Sequence, residues 1–380
     1  MGLNDMLKPQ NKWDKKKLSD GIHLISGQHI LGEKVNNSGV GMPYLTGPAD
    51  FPNGTVLRTK YTEHPHSICE KGDILITVKG SGTGKIVVAD DKYCISRQLM
   101  AIRADHRWSQ DFIYHLLNFH GEHFSDASVG LIPGISRDDI LNREIEIPAT
   151  KSEQTAIATA LSDADMLIVS LQKLITKKRL IKQGVMQRVL QPKEGWKKTR
   201  LGDHVKITSG ESPSKFTFVS TGVPFFKVEQ LNNSVKYQSH SEYFINTSSP
   251  ISAGSIIFPK RGASILLNKV RVLAQDSYMD TNLMTLTVTS NLLNNEFLYY
   301  MLTYIELWRI ADTTSIPQVN NKHINPIELA IPTRTEQEQI ATTLSNCDSE
   351  IMQLEHKLEK VKRVKQGMMQ TLLTGKIRLI

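Results

Sequence analysis

The sequence contains little cysteine and no cysteine arrangement typical of a metal site or a disulfide framework. Only three cysteines occur in 380 residues, Cys69, Cys94 and Cys347, and they are far apart and form no C-x-x-C pair. Zinc knuckles need closely spaced pairs, and disulfide-stabilised folds are small and rich in cysteine. We therefore expect three reduced thiols and no metal site built from cysteine.

Long apolar runs are also missing. No window holds about 18 uninterrupted apolar residues, the length of a membrane span. The opening stretch "MGLNDMLKPQNKWDKKK" has no apolar segment behind its charges, so we expect no secretory signal either. These two absences together predict a cytoplasmic protein.

Catalytic and cofactor motifs are absent as well. "KGSGTGKIV" looks like a phosphate loop, but position 79 is Lys where the loop needs Gly, and position 86 is Ile where it needs Ser or Thr. No H-E-x-x-H, no G-x-S-x-G and no G-x-G-x-x-G after a strand occurs. We predict a chain without catalytic site, metal site or bound cofactor. An enzyme with an unrecognised site remains the alternative.

What the sequence does contain is positive charge. Lys and Arg number 46 against 38 Asp and Glu, which gives a net charge of +8 and a pI near 9.2. This balance favours a polyanionic partner, although composition alone does not separate DNA from RNA or from an acidic protein. The length predicts two or more domains.

A long internal repeat determines the organisation of the chain. "KSEQTAIATAL" begins at Lys151 and "RTEQEQIATTL" begins at Arg334, and the match continues without a gap to Gly184 and Gly367. A second match joins "WDKKKLSDGIHLISG" to "WKKTRLGDHVKITSG". Repeats of this kind are the signature of duplicated architecture. The order is therefore globular domain, long helix, globular domain, long helix.

The globular domains, at 1–148 and 195–332, are predicted to be mostly β. Short runs such as "DILITV" and "LMTLTV" are separated by Gly, Pro, Asn and Ser. A helix is expected in each, at "SQDFIYHLLNFH" and at "NEFLYYMLTYIELWRI". The remaining segments, 149–194 and 333–380, hold the two long helices with a linker and a C-terminal tail. The predicted fold class is α+β.

The two long helices have matching start signals and matching apolar stripes. Thr150 with Glu153, and Thr333 with Glu336, form T-x-x-E capping boxes. Apolar residues then follow the alternating 3 and 4 spacing of a coiled coil. We predict that the helices pack as an antiparallel coiled coil, and the alternative is that each packs on its own globular domain. The predicted seam consists of Ile157, Leu161, Ile168, Leu171 and Ile175 with Ile340, Leu344, Ile351, Leu354 and Leu358.

Two similar but diverged domains suit a ligand with two separate features, such as a two-part site on DNA. Lys, Arg, Ser and Thr bind phosphates, and Arg, Lys, Asn and Gln read base edges. For each candidate, the alternative is an ordinary solvated surface residue. The candidates in the first domain are Lys79, Ser81, Thr83, Lys85, Arg97, Gln98 and Arg137. The candidates in the second domain are Lys227, Lys260, Arg261, Asn268, Lys269, Asn282, Gln318, Asn320 and Asn321.

The chain resembles the DNA-specificity subunit of type I restriction–modification systems in three repeated features. They are the helix opening "T-x-x-E-Q-x-x-I-A-x-x-L", the helix ending "KQG-x-MQ", and the stretch at the start of each globular domain that begins with Trp and ends with "SG". The resemblance covers nearly the whole chain. It implies two target-recognition domains, each reading one half of an asymmetric bipartite sequence, and two helices that set the spacer. It also implies that this chain is not itself an enzyme.

The resemblance further implies the partners. They are double-stranded DNA, two methyltransferase subunits and restriction/translocase subunits, with S-adenosylmethionine, ATP and magnesium bound by those subunits and not by this chain. The methyltransferase subunits are expected to dock at the helix openings around Gln154 and Gln337 and at the "KQG" endings. The alternatives are a solitary recognition protein acting as a regulator or decoy, and a coiled-coil protein scaffold.

Overall fold

The computed structural model describes residues 13–80, 82–120, 134–232, 236–312 and 316–379. Contacts divide the chain into two compact units, Met1–Gln172 with His356–Ile380 and Lys173–Glu355, called here the first and second unit. Each unit combines one mostly β domain with a segment of each long helix. The predicted α+β fold with two similar β domains is confirmed.

The helices lie where the start signals place them. The first β domain contains α1 (Gln110–Phe119) and α2 (Arg137–Leu141), and the long helix α3 (Lys151–Leu190) follows. The second β domain contains α4 (Asn295–Ile305) and α5 (Asn321–Ile324), and the long helix α6 (Arg334–Leu372) follows. Helix α4 is shorter than its apolar pattern suggests, because Glu306 takes a positive φ of 60° and ends it. None of the described helices combines the length and the apolar character that crossing a membrane requires.

The described residues of the first β domain form three small sheets. A two-stranded sheet pairs β1 with β10, a second sheet has the order β2-β9-β6-β7, and a third has the order β4-β3-β8-β5. The strands are β1 (Trp13–Lys17), β2 (Ile22–Ser26), β3 (Met42–Leu45), β4 (Tyr61–Thr62), β5 (Ile68–Cys69), β6 (Ile74–Thr77), β7 (Ile86–Val88), β8 (Tyr93–Ile95), β9 (Leu99–Ala104) and β10 (Glu144–Pro148).

The second β domain repeats this plan. Its sheets have the orders β11-β21, β12-β20-β17-β18-β15 and β13-β16-β14-β19. The strands are β11 (Lys197–Arg200), β12 (Val205–Ser209), β13 (Phe218–Val219), β14 (Val223–Phe226), β15 (Tyr237–Gln238), β16 (Phe244–Ile245), β17 (Ile256–Pro259), β18 (Arg271–Leu273), β19 (Tyr278–Met279), β20 (Leu283–Val288) and β21 (Glu328–Ile331).

Each long helix is fastened to the β domain before it by one buried glutamine. In the first unit the amide of Ser109, which caps α1, donates to Gln154 Oε1 at 2.8 Å. In the second unit the amide of Asn294, which caps α4, donates to Gln337 Oε1, also at 2.8 Å. Both glutamines donate back, at 3.0 Å, to the carbonyl of the proline that precedes the helix. The side chains of both glutamines are buried, and docking of a partner at the helix openings around them stays a prediction.

The predicted capping boxes are only half formed. The hydroxyls of Thr150 and Thr333 each accept an amide hydrogen bond of 3.3 Å from the glutamate three residues later. The glutamate carboxylates form ion pairs with the segment that follows the other long helix instead of capping. Glu153 pairs with Arg378 at 2.6 Å and Glu336 with Lys193 at 3.4 Å.

Within each unit the two helix segments run in opposite directions. In the first unit Asp165 pairs with Lys365 at 2.5 Å, and in the second unit Asp348 pairs with Lys182. Asp165 aligns with Asp348 in the repeat and Lys182 aligns with Lys365. The same ion pair therefore occurs once in each unit, with the roles of the two helices exchanged.

The residues of the predicted seam have two different environments. Ile157 and Leu161 pack into the core of the first unit, which also contains Leu372 and Leu373 from the end of α6. Ile340 and Leu344 pack into the core of the second unit in the same way. Farther along the helices Leu171, Ile175, Ile351 and Leu358 are buried, whereas Ile168 and Leu354 are half-buried. The starts of the helices thus belong to the domain cores, and a continuous coiled-coil seam remains a prediction.

A polar junction beside the duplicated ion pair connects each β domain to the helices. His115 of α1 lies 3.0 Å from the hydroxyl of Ser162, and burial lowers the pKa of this histidine. At the matching place in the second unit the hydroxyl of Tyr300 donates to Asp348 at 2.7 Å. Burial, followed by the Asp348 carboxylate, raises the pKa of Tyr300.

Replacing Gln337 tests the helix anchor. Gln337→Ala leaves the part-buried amide of Asn294, the part-buried carbonyl of Leu292 and the buried carbonyl of Pro332 without this partner, so we expect a loss of about 1–3 kcal/mol in the free energy of unfolding. Denaturant unfolding of the purified chain measures this loss. The exposed Gln339, two residues along α6, gives the matched control Gln339→Ala. Equal stability of the two variants would contradict the anchoring role.

The junction at His115 predicts acid sensitivity of the first unit. The groups that face this imidazole are Ser162, Asp165, Lys365 and Asp111. Its pKa is lower in the folded state than the value of about 6.5 in an unfolded chain, so the unfolded state binds more protons. Stability is therefore complete above the unfolded pKa and falls as the pH drops below it.

His115→Gln should reduce the difference in unfolding free energy between about pH 7.5 and about pH 5.5. The same measurement on His64→Gln, a substitution at an exposed site, is the control and should leave the pH dependence as it is. An unchanged pH dependence in His115→Gln would show that another group causes any acid sensitivity.

Candidate nucleic-acid interface

In the first β domain, the turns after β6 and β8 and the start of α2 meet at one end of the sheets, called here the first polar edge. The amide of Val78 donates to Gln98 O at 2.8 Å, and the amide of Ile135 donates to Val78 O at 2.9 Å. The guanidinium of Arg137 donates to Leu24 O at 2.8 Å and so ties the start of α2 to β2. The two turns, the segment before α2 and strand β2 are thereby held together.

The second β domain builds a second polar edge from the matching loops. The amide of Lys260 donates to Asn282 O, and the amide of Val319 donates to Lys260 O, both at 2.8 Å. These two bonds match the two backbone hydrogen bonds of the first polar edge. They make Lys79 equivalent to Arg261, Gln98 equivalent to Asn282, and Arg137 equivalent to Asn321.

A glycine in each "SG" motif permits the close approach of the loops. Gly27 donates its amide to Leu99 O at 3.0 Å, and Gly210 donates to Leu283 O at 3.2 Å. A Cβ on Gly27 would lie 2.0 Å from the carbonyl oxygen of Ser96, and one on Gly210 would lie 1.8 Å from that of Asp280. Because the clashing atoms are backbone, no side-chain movement could relieve the contact.

Most candidates of the first β domain lie at or beside the first polar edge. Lys79, Arg97, Gln98 and Arg137 are exposed there. Thr83 and Lys85 lie in the turn between β6 and β7, which returns to the sheet through a bond of 2.8 Å from Thr77 N to Lys85 O. Ser81 lies outside the described residues. The structure brings separate parts of the sequence together here, as a DNA-contacting surface requires.

The candidates of the second β domain divide into two groups. Those at the second polar edge are Lys260, Arg261, Asn282, Gln318, Asn320 and Asn321, and Lys227 follows the neighbouring strand β14. Asn268 and Lys269 lie elsewhere. Asn268 donates to Thr303 O at 2.8 Å and lines a separate cleft of about 890 Å³. The ammonium of Lys269 donates to the side chain of Asn232.

The two polar edges differ in charge. Asp280, which is 6% exposed, stands where the first polar edge has Ser96. Burial raises the pKa of Asp280, and burial lowers the pKa of Lys260 while the nearby Asp280 charge opposes that change. Lys260 thus has an anionic neighbour within the protein, which leaves the exposed Arg261 as the more accessible cation.

No sequence pattern indicated Lys60 as a candidate DNA contact. It lines a hollow of about 360 Å³ at the first polar edge, together with Thr46, Arg97 and Gln98. Its neighbours are distant in sequence and no motif marks it. Only the pairing of β3 with β4 brings it to this place.

The described residues hold no group of three or more His, Cys, Asp and Glu that could bind a metal ion. All three cysteines are free thiols. Burial raises the pKa of Cys69 to about 12, and burial also raises the pKa of Cys94. Thiols with such pKa values are protonated and inert at neutral pH.

Comparisons with known proteins agree with this architecture. Residues 10–182 and 193–363 match the family described as type I restriction modification DNA specificity domain. The type I restriction enzyme MjaVIII specificity subunit of Methanocaldococcus jannaschii is 22% identical over 408 residues, which cover 98% of this chain and 95% of that protein. The chain therefore belongs to the type I restriction–modification DNA-specificity family, with two copies of the specificity domain.

Solved structures are similar in fold. The crystal structure of the type I restriction–modification S subunit from M. genitalium has a TM-score of 0.66 and 19% identity, covering 96% of this chain and 97% of that one. A chain from a study of complex assembly and conformational transition of the type I R-M system has a TM-score of 0.62 and 16% identity, covering 95% and 97%. The resemblance inferred from the repeated helix is confirmed.

The glycine contacts can be tested directly. Gly27→Ala should lower the free energy of unfolding by about 1–3 kcal/mol, because the new methyl group overpacks a rigid backbone contact. Gly32→Ala is the matched control, since a Cβ there meets nothing within 4 Å. Denaturant unfolding compares the two. If Gly27→Ala is as stable as Gly32→Ala, the close approach of the loops does not depend on this glycine.

Proposed function

We propose that this chain is the non-catalytic, sequence-specific DNA-binding subunit of a type I restriction–modification complex. Each β domain is a target-recognition domain that reads one half of an asymmetric, bipartite DNA sequence. The long helices set the spacer between the two halves and dock methyltransferase subunits. Base reading is assigned to side chains of the two polar edges.

One observation carries the proposal. The same backbone arrangement is built twice, yet its polar side chains differ, with Lys79 against Arg261, Gln98 against Asn282, and Arg137 against Asn321. Side chains of these types hydrogen-bond to different base edges in the major groove. Two readers with one framework and different polar groups suit a target whose two halves have different sequences.

Catalysis belongs to the partners in this proposal. Two methyltransferase subunits bind S-adenosylmethionine and methylate adenine, and restriction/translocase subunits use ATP and magnesium to move along DNA and cut it. Methylation requires the target base to leave the stack. The recognition domains therefore hold the duplex while the partner acts on the extruded base.

The surfaces of the helices support docking of the partners. A Cβ at Gly184 or Gly367, in the two "KQG" endings, would meet nothing within 4 Å. Packing within the chain therefore does not explain either glycine, and a partner surface does. Large apolar side chains are also exposed along the helices, namely Met166, Leu167, Val169, Leu180, Ile181, Met352 and Val364. Exposed apolar side chains at helical spacing suit association with partner helices.

The test is co-expression with the adjacent methyltransferase gene, followed by single-molecule mapping of N6-methyladenine on host DNA. We expect an asymmetric two-part motif that disappears when the gene for this chain is deleted. Arg97→Ala with Gln98→Ala should relax one half of the motif, because a lost bidentate base contact costs about 1–3 kcal/mol of discrimination. Asn282→Ala with Asn321→Ala should relax the other half.

Lys92→Ala is the control, since this lysine lies at the opposite end of β8 from Arg97 and pairs with Glu70 at 2.8 Å. A motif altered in both halves by either double variant would overturn the modular assignment. Methylation that continues unchanged without this chain, despite an intact partner, would favour the alternative of a solitary regulator or decoy.

A further inference from the structure

A lysine ammonium occupies the same place in both β domains but comes from different strands. In the first β domain, Lys60 Nζ donates to Thr46 Oγ1 at 3.2 Å. In the second, Lys227 Nζ lies 3.6 Å from the ring centroid of Tyr243. In each domain one partner follows a central strand, β3 or β14, and the other partner comes from the segment before β4 or β16.

Backbone hydrogen bonds establish which positions are equivalent. Tyr44 N donates to Lys60 O at 2.8 Å, and Phe225 N donates to Tyr243 O at 2.8 Å. Both bonds join the third residue of the central strand to the residue before the partner strand. Lys60 and Tyr243 are therefore equivalent.

A second pair of backbone hydrogen bonds shows which residue of the first β domain is equivalent to Lys227. Ser96 N donates to Leu45 O, and Asp280 N donates to Phe226 O, both at 2.9 Å. Leu45 and Phe226 are thus equivalent last residues of β3 and β14. The residues that follow them, Thr46 and Lys227, are equivalent too. The lysine has changed strands between the two domains while its ammonium has kept its place.

The groups that contact the two ammonium groups directly are neutral. They are the Thr46 hydroxyl, which itself donates to Asp50 Oδ2 at 2.8 Å, and the Tyr243 ring. Among the described residues, neither Lys60 nor Lys227 has a carboxylate partner. Both side chains are half-buried, so each gives up rotamer freedom without a direct ion pair to offset the cost. A positive charge held in this way remains available to an external anion.

The position of the two lysines and the sequence differences around them indicate which anion they bind. Lys60 shares its hollow with Arg97 and Gln98 at the first polar edge. Both residues of the pair differ between the domains, and so do the candidate base readers around them, yet the charge is retained. A contact that two readers of different sequences share must be to the part of DNA that is the same in every sequence. That part is the phosphate backbone.

We propose that Lys60 and Lys227 each bind a phosphate of the DNA backbone and position the β domain on the duplex without reading sequence. The inference rests on the proposed function. It adds one residue that the sequence did not indicate, Lys60, and it separates Lys227 from the candidate base readers.

The experiment uses the fact that the lysine comes from a different strand in each β domain. The second β domain is used because the Lys227 side chain forms no hydrogen bond among the described residues. Lys227→Thr removes the ammonium, and Lys227→Thr with Tyr243→Lys restores it from the other strand, as in the first β domain. Lys206→Thr is the matched control, since Lys206 is exposed on β12 and pairs with Thr287, at the end of β20 away from the second polar edge.

Each variant is assembled with the methyltransferase partner and titrated with a duplex of the mapped target and with a duplex of scrambled sequence. Lys227→Thr should bind both duplexes about five- to tenfold more weakly at low salt. Its deficit should shrink about threefold between about 50 and about 200 mM salt, as expected for one lost phosphate contact. The double variant should regain most of the affinity, and the methylated motif should stay the same in all variants.

Three results would overturn the inference. They are a changed methylation motif in Lys227→Thr, a deficit confined to the specific duplex, and a correctly folded double variant that recovers no affinity. Lys60→Tyr provides the same measurement in the first β domain and keeps the test open if the double variant fails to fold. Failure of the proposed function would look different, because the unaltered complex would then bind both duplexes equally well or neither.

Discussion

A buried glutamine hydrogen-bonded to the cap of a neighbouring helix joins each β domain to the long helix that follows it. The side chains of Gln154 and Gln337 accept from the amides of Ser109 and Asn294 and donate to the carbonyl just before the helix. Buried amides and carbonyls must be paired, so the helix can begin in only one position relative to its domain. The ion pairs and core contacts further along the helix follow from that starting position.

Apart from the glutamine contacts, the two units form contacts at equivalent positions although the residue types at those positions differ. His115 in one unit and Tyr300 in the other reach the same turn of their long helix, one contacting Ser162 and the other Asp348. The Asp and Lys of the adjacent ion pair are retained in both units. Tyr300 donates directly to the carboxylate of the ion pair, whereas His115 contacts the neighbouring serine and only lies near the Asp165 carboxylate.

The repeat made the organisation predictable from the sequence, because identical buried groups recur at a fixed offset. The fold class, both long helices and the positions of α1 and α4 follow from caps and periodicity, which are local in sequence. The sequence did not predict that the end of each long helix packs in the unit of the other β domain, because nothing local shows that Leu372 packs with Ile157. The partners of Glu153 and Glu336 were also mistaken, because an arginine or lysine far away in sequence competes with the local cap.

The candidate DNA contacts show the same limit. Residue type selected Arg97, Gln98, Asn282 and Arg261, and the sheets bring these to the polar edges. Asn268 has the same chemistry, but its side chain holds the end of α4 through Thr303 O. Lys60 had no local mark at all, because its role depends on which strand lies beside it.

The two kinds of contact at a polar edge place different demands on the backbone. A base reader must present its donors in a fixed direction, since discrimination depends on matching a particular donor and acceptor pattern. A phosphate contact needs only a charge at the correct distance, and the flexible lysine stem reaches one place from either of two neighbouring strands. Strand exchange is therefore compatible with phosphate binding and would be costly for base reading. This asymmetry explains how one framework keeps its hold on DNA while the sequence that it reads changes.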